Sequence, residues 1–231
     1  PPYSSAASDV YKRQENIELI KYASEFNFNT ILLMPSAYYV GNSDEGVFEF
    51  YKKIILACPK IKIVIYNFQK LSGYIFSIDA ITKLVKSFPK NIIGVKDSSY
   101  NLYENLKIKN FLIFPGSEAK LLKGLEKGSS GVISAVTNST HFLARKVFDD
   151  FENKMPQTKN DQLIGVRETF DGYNLISALH SFHSIKDENY KNILPPLTLL
   201  SEQKLKELIE KLNKLKSVSY THLTLPTNKA V

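Results

Sequence analysis

The sequence predicts an α/β protein built on a parallel β-sheet, and three observations support this prediction. Short apolar runs rich in β-branched residues alternate with segments whose apolar residues recur at the helical spacing. The runs are apolar throughout rather than alternating with polar residues, which is typical of strands that helices cover on both faces. Each run is far too short to cross a bilayer, so the runs fit a protein core.

Five runs are predicted as strands because each combines β-branched or aromatic residues with a polar residue or a turn signal at its end. These strands are Thr30–Met34, Ile61–Tyr66, Ile92–Lys96, Phe111–Phe114 and Gly131–Ser134. The helical spacing predicts helices around and between them, with acidic residues at the start of the second and Pro89 ending the third. These helices are Glu15–Phe26, Glu45–Ala57, Ile78–Phe88, Asn101–Ile108 and Glu118–Glu126, the last closed by Gly128.

The chain is predicted to be helical from Ser139 onward. Breaks are expected near Met155-Pro156 and Pro195-Pro196, and a last helix over Ser201–Leu215 has Ser201 as its N-cap. Two architectures compete for the strands, a doubly wound sheet and a (β/α)₈ barrel. The glycine-rich dinucleotide fingerprint follows none of the strands, which weakens the doubly wound version. We therefore expect a partial barrel, strands four to eight of eight, followed by C-terminal helices from about residue 156.

The two ends of the chain differ from its middle in their sequence pattern. Residues 1–14 and 217–231 lack a helical or strand period, and both resemble translated sequencing-adapter read-through. We expect both tails to be non-native, which leaves residues 15–216 as the barrel domain. If so, the native protein extends beyond both ends.

Composition restricts the function. The chain has 231 residues with 43% hydrophobic and 23% charged residues, which is ordinary for a globular protein. Its net charge of +7 is scattered rather than clustered, which argues against nucleic-acid binding. A single cysteine, Cys58, fits a reducing compartment, and no secretory or membrane segment is recognised, so a cytoplasmic protein is expected.

The strand Ile92–Lys96 ends abruptly in a lysine that small polar residues follow. A lysine in this position can be partly desolvated, and desolvation lowers the pKa of an amine by disfavouring its charged form. The neutral amine can then attack a carbonyl group to form a Schiff base. The alternative interpretation is a strand-end lysine whose ammonium group simply extends into water.

Other polar groups follow the strands in the same way. In a barrel these strand ends would meet at one mouth, where active sites of this architecture lie. A tyrosine hydroxyl near the lysine could move the protons that dehydration and enamine formation require, and Tyr66 lies one strand before Lys96. The groups concerned are Tyr38-Tyr39, Tyr66-Asn67, Lys96-Asp97, Gly116-Ser117-Glu118 and Ser134.

At this point the residues resemble a known family. Residues 66–73 (YNFQKLSG) and 94–99 (GVKDSS) are similar to the tyrosine and lysine motifs of the dihydrodipicolinate synthase / N-acetylneuraminate lyase family. That family comprises pyruvate-dependent class I aldolases, lyases with (β/α)₈ barrels. Further segments that resemble the family occur in the expected order over about residues 15–216. They are residues 34–39 together with 43–46, residues 114–118, residues 131–135 together with Asn138, and residues 194–197.

The resemblance implies roles for individual residues. Lys96 matches the Schiff-base lysine, Tyr66 the proton-shuttling tyrosine, and Tyr39 a tyrosine that relays protons, in the synthase branch across a subunit boundary. Ile133 matches a residue whose backbone contacts pyruvate. Further candidates for substrate binding are Gly116, Ser117, Glu118 and Leu71. The resemblance also implies a pyruvate or other 2-keto acid substrate with an aldehyde or sugar acid, no cofactor, no metal, and a homodimer or homotetramer.

The chain also departs from the family pattern. Leu71 stands where the synthase branch has an arginine, and Glu118-Ala119 stands where the lyase branch has an Asp-Glu pair. Losing the arginine removes a bidentate clamp for an acidic aldehyde, so we favour a sugar acid or another 2-keto acid over the synthase substrate. The motif that binds the pyruvate carboxylate belongs before Glu15. We therefore expect the chain as written to be inactive and prone to aggregate, and a soluble monomer with normal turnover would contradict this.

Two alternatives to an aldolase remain. One is a catalytically inactive barrel relative that acts as a binding module. The other is a phosphate-binding barrel enzyme, which residues 115–117 and 137–139 disfavour because they lack a glycine-rich backbone. The histidines at 141, 180 and 183 have no carboxylate or cysteine at metal-ligand spacing and are interpreted as structural.

Overall fold

The computed structural model describes residues 6–8, 13–37 and 40–215. The chain divides into two compact units. The first, here called the sheet unit, comprises residues 1–116 and 123–133. The second, the helical unit, comprises residues 117–122 and 134–231.

The sheet unit contains a five-stranded parallel sheet in the order β1-β2-β3-β4-β5. Its strands are β1 (Ala6–Ser8), β2 (Thr30–Leu33), β3 (Lys62–Asn67), β4 (Ile92–Asp97) and β5 (Leu112–Pro115). Strands β2 to β5 confirm four of the five predicted strands. Strand β1 was not expected, because residues 1–14 show no strand period.

Five helices accompany these strands, and they are α1 (Arg13–Glu25), α2 (Asp44–Ala57), α3 (Gln69–Ser72), α4 (Ile78–Ser87) and α5 (Leu121–Glu126). Serine side chains cap two of them. Ser43 accepts a hydrogen bond from the Gly46 amide at the start of α2, and Ser77 accepts one from the Ala80 amide at the start of α4. A four-residue helix, α3, follows β3 directly and was not predicted.

One face of the sheet packs into the apolar core of this unit. Side chains of a strand alternate between faces, so alternate residues of β2 and β3 enter this core, whereas a register shift interrupts the alternation in β4 between Ile92 and Val95. Tyr51 and Ile54 of α2 and Ile81 and Leu84 of α4 cover that face and are fully buried or nearly so. The strand residues that contribute are Ile31, Leu33, Ile63, Ile65, Ile92, Val95 and Ile113.

The helical unit has its own apolar interior. After a 3₁₀ turn over Glu118–Lys120, its helices are α6 (Thr137–Glu152), α7 (Asn160–Asp171), α8 (Leu175–His183) and α9 (Glu202–Lys214). The predicted N-cap of the last helix is confirmed, since Ser201 accepts a hydrogen bond from the Lys204 amide. The interior consists mainly of aliphatic and phenyl side chains, and they are Leu143, Val147, Leu163, Val166, Phe170, Phe182, Leu208 and Leu212.

Two predicted elements are wrong. Residues 131–134 do not form a strand, because in the described structure the backbone bonds from this region to β5 come from the Ser130 and Ile133 amides, at 2.8 and 3.3 Å from the carbonyls of Ile113 and Pro115. Residues 101–108 form a single turn rather than a helix. Their first amides are hydrogen-bonded to the Asp97 carboxylate instead of starting a helical ladder. In the part of the chain described, no helix is both long and apolar enough to cross a membrane.

Candidate active site

The candidate site lies at the carboxyl ends of β3 and β4. The strands run parallel, with Tyr66 beside Lys96 and Asn67 beside Asp97, and Lys96 is in turn beside Phe114 of β5. Tyr66, Lys96 and Phe114 therefore share one face of the sheet, and Asn67 and Asp97 share the opposite, core-packed face. The strand register thus brings two of the predicted catalytic residues together.

The Lys96 amine lies against the Tyr66 ring. Its Nζ atom is 4.1 Å from the ring centroid, within the range of a cation–π contact. The ring also stacks on Phe68, with centroids 5.8 Å apart and planes at 26°. Lys96 and Tyr66 are both half-buried. The amine is therefore partly shielded from water and next to a phenol group.

The loops that follow the two strands are hydrogen-bonded to each other. The Ser98 amide donates to the Asn67 carbonyl at 2.8 Å, and the Gln69 amide donates to the Ser99 hydroxyl at 2.9 Å. These bonds continue the β3–β4 pairing beyond the last strand residues. They limit the movement of Tyr66 relative to Lys96.

The end of β5 approaches the loop that follows Lys96, here called the lysine loop, at Gly116. Gly116 was predicted to bind substrate. Its amide donates to the Asp97 carbonyl at 2.9 Å. A Cβ atom on Gly116 would lie 2.0 Å from the Ser98 hydroxyl oxygen and 3.0 Å from the Ser98 Cα. The close approach of the two backbones therefore requires glycine at this position.

We expect Gly116→Ala to destabilise the protein by about 1–3 kcal/mol, because the new methyl group forces Ser98 and the lysine loop to move. Urea unfolding followed by circular dichroism measures this change. Gly46→Ala is the matched control, since its Cβ would meet only the Ser43 hydroxyl oxygen, at 3.4 Å, and alanine favours the helix. Equal stability of the two variants would contradict the steric argument.

The other predicted residues of the sheet unit lie in different surroundings. Leu71 is on α3 and 48% exposed. Ile133 is half-buried, and its amide donates a hydrogen bond to the Pro115 carbonyl. Tyr39 lies outside the described residues. Its proposed role therefore stays a prediction.

Ser117 and Glu118 belong to the helical unit, and Glu118 is completely buried there. Its Oε2 atom accepts hydrogen bonds from the Ser134 hydroxyl at 2.7 Å and from Arg167 Nη1 at 3.2 Å. Arg167 also donates to the Ser134 hydroxyl and forms a two-pronged ion pair with Asp171. The other oxygen of Glu118, Oε1, is buried without a hydrogen-bond partner among the described residues.

Arg167 is the part of this cluster that the sequence did not reveal. Only 13% of its side chain is exposed, and that burial lowers its pKa. The carboxylates of Asp171 and Glu118 outweigh burial, so the pKa of Arg167 is raised overall and the guanidinium stays charged. The only signal in the sequence is the four-residue spacing to Asp171, which is common on exposed helix faces and does not point to a buried partner.

Two histidines of the helical unit, His180 and His183, have hydrogen-bond partners of a structural kind. His183 Nε2 is 2.9 Å from the Ser139 hydroxyl, and His180 Nδ1 is 2.9 Å from the Tyr190 carbonyl. Burial and the neighbouring His180 lower the pKa of His183. Among the described residues, no group of three or more histidine, cysteine or acidic side chains is placed to hold a metal ion.

Comparison with known proteins places the chain in a family. The model of the dihydrodipicolinate synthetase family matches residues 11–215. The chain belongs to this family. The resemblance found in the sequence is therefore confirmed, and with it the assignment to a family whose curated members include aldolases and synthases.

Two curated family members illustrate the degree of similarity. The 2-dehydro-3-deoxy-D-gluconate/2-dehydro-3-deoxy-phosphogluconate aldolase of Picrophilus torridus is 27% identical over 190 residues, which are 78% of this chain and 69% of that protein. The 4-hydroxy-tetrahydrodipicolinate synthase of Wigglesworthia glossinidia brevipalpis is 36% identical over 132 residues, 53% of this chain. That match spans 43% of the synthase, so the chain corresponds to less than half of it.

A solved structure of the same family supports the fold. YagE, a prophage protein of Escherichia coli K12 belonging to the dihydrodipicolinic acid synthase family and solved in complex with pyruvate, superposes with a TM-score of 0.82 at 18% identity. The superposition covers 92% of this chain and 75% of YagE. The predicted fold class, an α/β partial barrel of this family, is confirmed.

Proposed function

We propose that the chain carries the Schiff-base site of a class I aldolase, a lyase that acts on pyruvate or another 2-keto acid. The observation that supports this most strongly is the Lys96 amine 4.1 Å from the centre of the Tyr66 ring at the ends of adjacent parallel strands. A half-buried amine beside a phenol offers both the nucleophile and the proton donor that imine formation needs.

The proposed chemistry begins when the neutral Lys96 amine attacks the keto carbon of pyruvate. The new N–C bond pushes the carbonyl electron pair onto oxygen, which is protonated to give a carbinolamine. Tyr66 donates a proton to the departing hydroxyl group, water leaves, and an iminium ion remains. A proton then leaves the methyl carbon, the C–H electron pair becomes a new C=C bond, and the C=N π electrons move onto nitrogen to give an enamine. The enamine carbon adds to an aldehyde, and the reverse sequence cleaves the product.

The remaining predicted residues have supporting roles in this proposal. Ile133 would contact pyruvate through its backbone, and Gly116, Ser117, Glu118 and Leu71 would shape substrate binding. Tyr39 would be a second proton relay. These assignments rest on the family resemblance. The full-length protein is proposed to act in the cytoplasm as a homodimer or homotetramer.

For the second substrate we propose a sugar acid or a related 2-keto acid. The exposed side chain of Leu71 offers no charge to an acidic aldehyde. The Picrophilus relative is named as an aldolase for 2-dehydro-3-deoxy sugar acids. The match to it covers 69% of that protein. Cleavage of such a compound to pyruvate, compared with condensation of pyruvate and aspartate semialdehyde, distinguishes the two specificities.

A partial reaction tests the proposal without requiring complete turnover. In D2O, an enzyme that forms the enamine replaces the methyl protons of pyruvate with deuterium, and proton NMR records the loss of the methyl signal. Although complete turnover is not expected of this chain, imine and enamine formation at Lys96 should give exchange that is faster than with an equal concentration of free lysine and that saturates with pyruvate. A rate no higher than that of free lysine would contradict the proposed function.

We expect Tyr66→Phe to lower the maximal rate of methyl exchange by about 100-fold or more, because the phenyl ring keeps the contact with Lys96 but has no proton to donate. The pyruvate concentration at half-maximal rate should change little. Phe68→Leu removes only the stacked neighbour of Tyr66 and is the control, with an expected loss of less than about tenfold. Unchanged exchange in Tyr66→Phe would remove Tyr66 from the mechanism.

A further inference from the structure

Two polar side chains lie on the core-packed face of the sheet, each one residue after a member of the catalytic pair. Asn67 follows Tyr66, and Asp97 follows Lys96. We propose that Asp97, together with Asn67, is a positioning residue that holds the Lys96 amine against the Tyr66 ring. This inference rests on the proposed function and adds a role for the residue that follows the lysine.

Asp97 is fully buried and uses both oxygens of its carboxylate. Oδ1 accepts from the Asn67 side-chain amide at 2.8 Å and from the Tyr100 backbone amide at 2.9 Å. Oδ2 accepts from the backbone amides of Leu102 at 2.8 Å and Tyr103 at 2.9 Å. The carboxylate therefore binds the loop after β4 and the end of β3 at the same time.

Asn67 links Asp97 to the loop that follows β3. Its amide nitrogen donates to Asp97 and, at 2.7 Å, to the side-chain oxygen of Asn101. Its side-chain oxygen accepts from the Phe76 amide at 3.1 Å. The Asn101 amide nitrogen donates in turn to the Phe76 carbonyl at 2.8 Å. These bonds form a closed network, and Asn67 itself is fully buried.

The network adds side-chain hydrogen bonds at the strand ends, where the backbone bond from the Ser98 amide to the Asn67 carbonyl also connects β3 and β4. The β3–β4 register ends at the pair Asn67 and Asp97, so their side chains fix the last paired position. Tyr66 and Lys96 are joined to this pair by one peptide bond each and point to the opposite face. A sliding of one strand end against the other would displace the amine from the ring by the same amount. Displacement of a reacting group by about 1 Å can reduce a rate about 100-fold.

The hydrogen-bond pattern also determines which substitution is informative. Asn has the size of Asp, but one of its two terminal groups is a donor. In Asp97→Asn that donor must face either Asn67 and Tyr100 or Leu102 and Tyr103, which are all donors themselves. The network is therefore disrupted without a change of volume, and the side chains that would contact pyruvate are unaltered.

The test uses Asp97→Asn with Asp150→Asn as a matched control. Asp150 is a 2% exposed aspartate in α6 that pairs with Lys146 and contacts Thr158, so its substitution also disturbs a buried carboxylate. Asn101→Ala is a milder second variant, because Asn101 is exposed and its loss leaves the Asp97 bonds in place. All variants are compared at a temperature where circular dichroism shows them folded.

Two readouts separate positioning from general stability. The first is competitive acetylation of the lysines at a series of pH values, with mass spectrometry giving the pH at which Lys96 reaches half of its maximal reactivity. The second is pyruvate methyl exchange, resolved into maximal rate and half-saturating concentration. We expect Asp97→Asn to shift the Lys96 acetylation profile and lower the maximal exchange rate about 10- to 100-fold, with a smaller change in half-saturation. Asn101→Ala should show a smaller change in the same direction, and Asp150→Asn none.

If folded Asp97→Asn and Asn101→Ala both show the Lys96 acetylation profile and the exchange rate of the wild-type chain, the positioning role is overturned. The proposed function is then unaffected. The positioning role is also overturned if Asp150→Asn lowers the maximal exchange rate as much as Asp97→Asn does, since the effect would then reflect stability alone. Absence of exchange in the wild-type chain would overturn the proposed function. In that case the acetylation profile still decides whether Asp97 controls the Lys96 amine.

Discussion

Replacing Lys96 with arginine should abolish pyruvate methyl exchange, with an expected loss of at least about 1,000-fold. The guanidinium keeps the positive charge next to the Tyr66 ring, so the cation–π contact and the fold are retained. It stays protonated at every accessible pH and has no free electron pair for a keto carbon. The variant therefore removes the nucleophile and little else.

Two further variants show whether this loss is specific. Lys62→Arg changes an exposed lysine at the start of β3, at the opposite end of the strand from Tyr66, and should leave exchange unchanged. Lys96→Ala should be as inactive as Lys96→Arg, but externally added ethylamine should restore some exchange to it, because the truncated side chain leaves space beside Tyr66. Exchange at the wild-type rate in Lys96→Arg would show that another amine forms the imine.

Replacing Arg167 with methionine should destabilise the protein by about 3–5 kcal/mol, the range for removing one partner of a buried ion pair. Glu118 is completely buried, and the substitution would leave its charge compensated only by the Ser134 hydroxyl. Methionine fills much of the same volume, so the loss arises from the unpaired charge rather than from a cavity. Urea unfolding measures the difference in the free energy of unfolding.

The same helical unit offers a matched control and a rescue. Arg145→Met removes an exposed arginine that pairs with Asp149, and pairs of this kind contribute only about 0–1 kcal/mol. The double variant Arg167→Met with Glu118→Gln should recover most of the stability, because the buried group is then neutral and can still accept from Ser134. An Arg167→Met loss no greater than that of Arg145→Met would contradict a buried charge cluster.

Much of the sheet could be predicted from the sequence because its strands are locally unambiguous. Runs such as Ile63–Ile65 combine β-branched residues with burial on both faces, and no competing helical pattern overlaps them. The end of β4 could be predicted for the same reason, since the apolar run stops at Lys96. That the lysine and Tyr66 lie side by side follows from parallel strands in register, which the order of the motifs already indicated.

The elements that were mispredicted depend on contacts distant in sequence. Residues 101–108 have a helical composition, but the buried Asp97 carboxylate binds the amides of Leu102 and Tyr103 and holds them in a turn. Residues 131–134 have the composition of a strand, yet a strand also needs a ladder of hydrogen bonds, and within this stretch the backbone bond to β5 in the described structure comes from the Ile133 amide. Local pattern cannot reveal either condition.

The buried polar networks, one in each unit, were the least predictable features. Asn67 and Asp97 stand 30 residues apart in sequence, and Glu118 and Arg167 stand 49 apart. Each of these residues is common on protein surfaces, so its type alone favours exposure. Burial becomes possible only because the partners complete one another's hydrogen bonds, which is a property of the folded structure.

The most direct test of the Schiff-base site is covalent trapping. The chain is incubated with pyruvate, reduced with borohydride, digested and analysed by mass spectrometry. We predict one reduced pyruvate adduct per chain, located on Lys96, and none when Lys96→Arg is treated in the same way. An adduct on a different lysine, or no adduct at all under conditions that trap an established aldolase of this family, would contradict the assignment of Lys96 as the nucleophile.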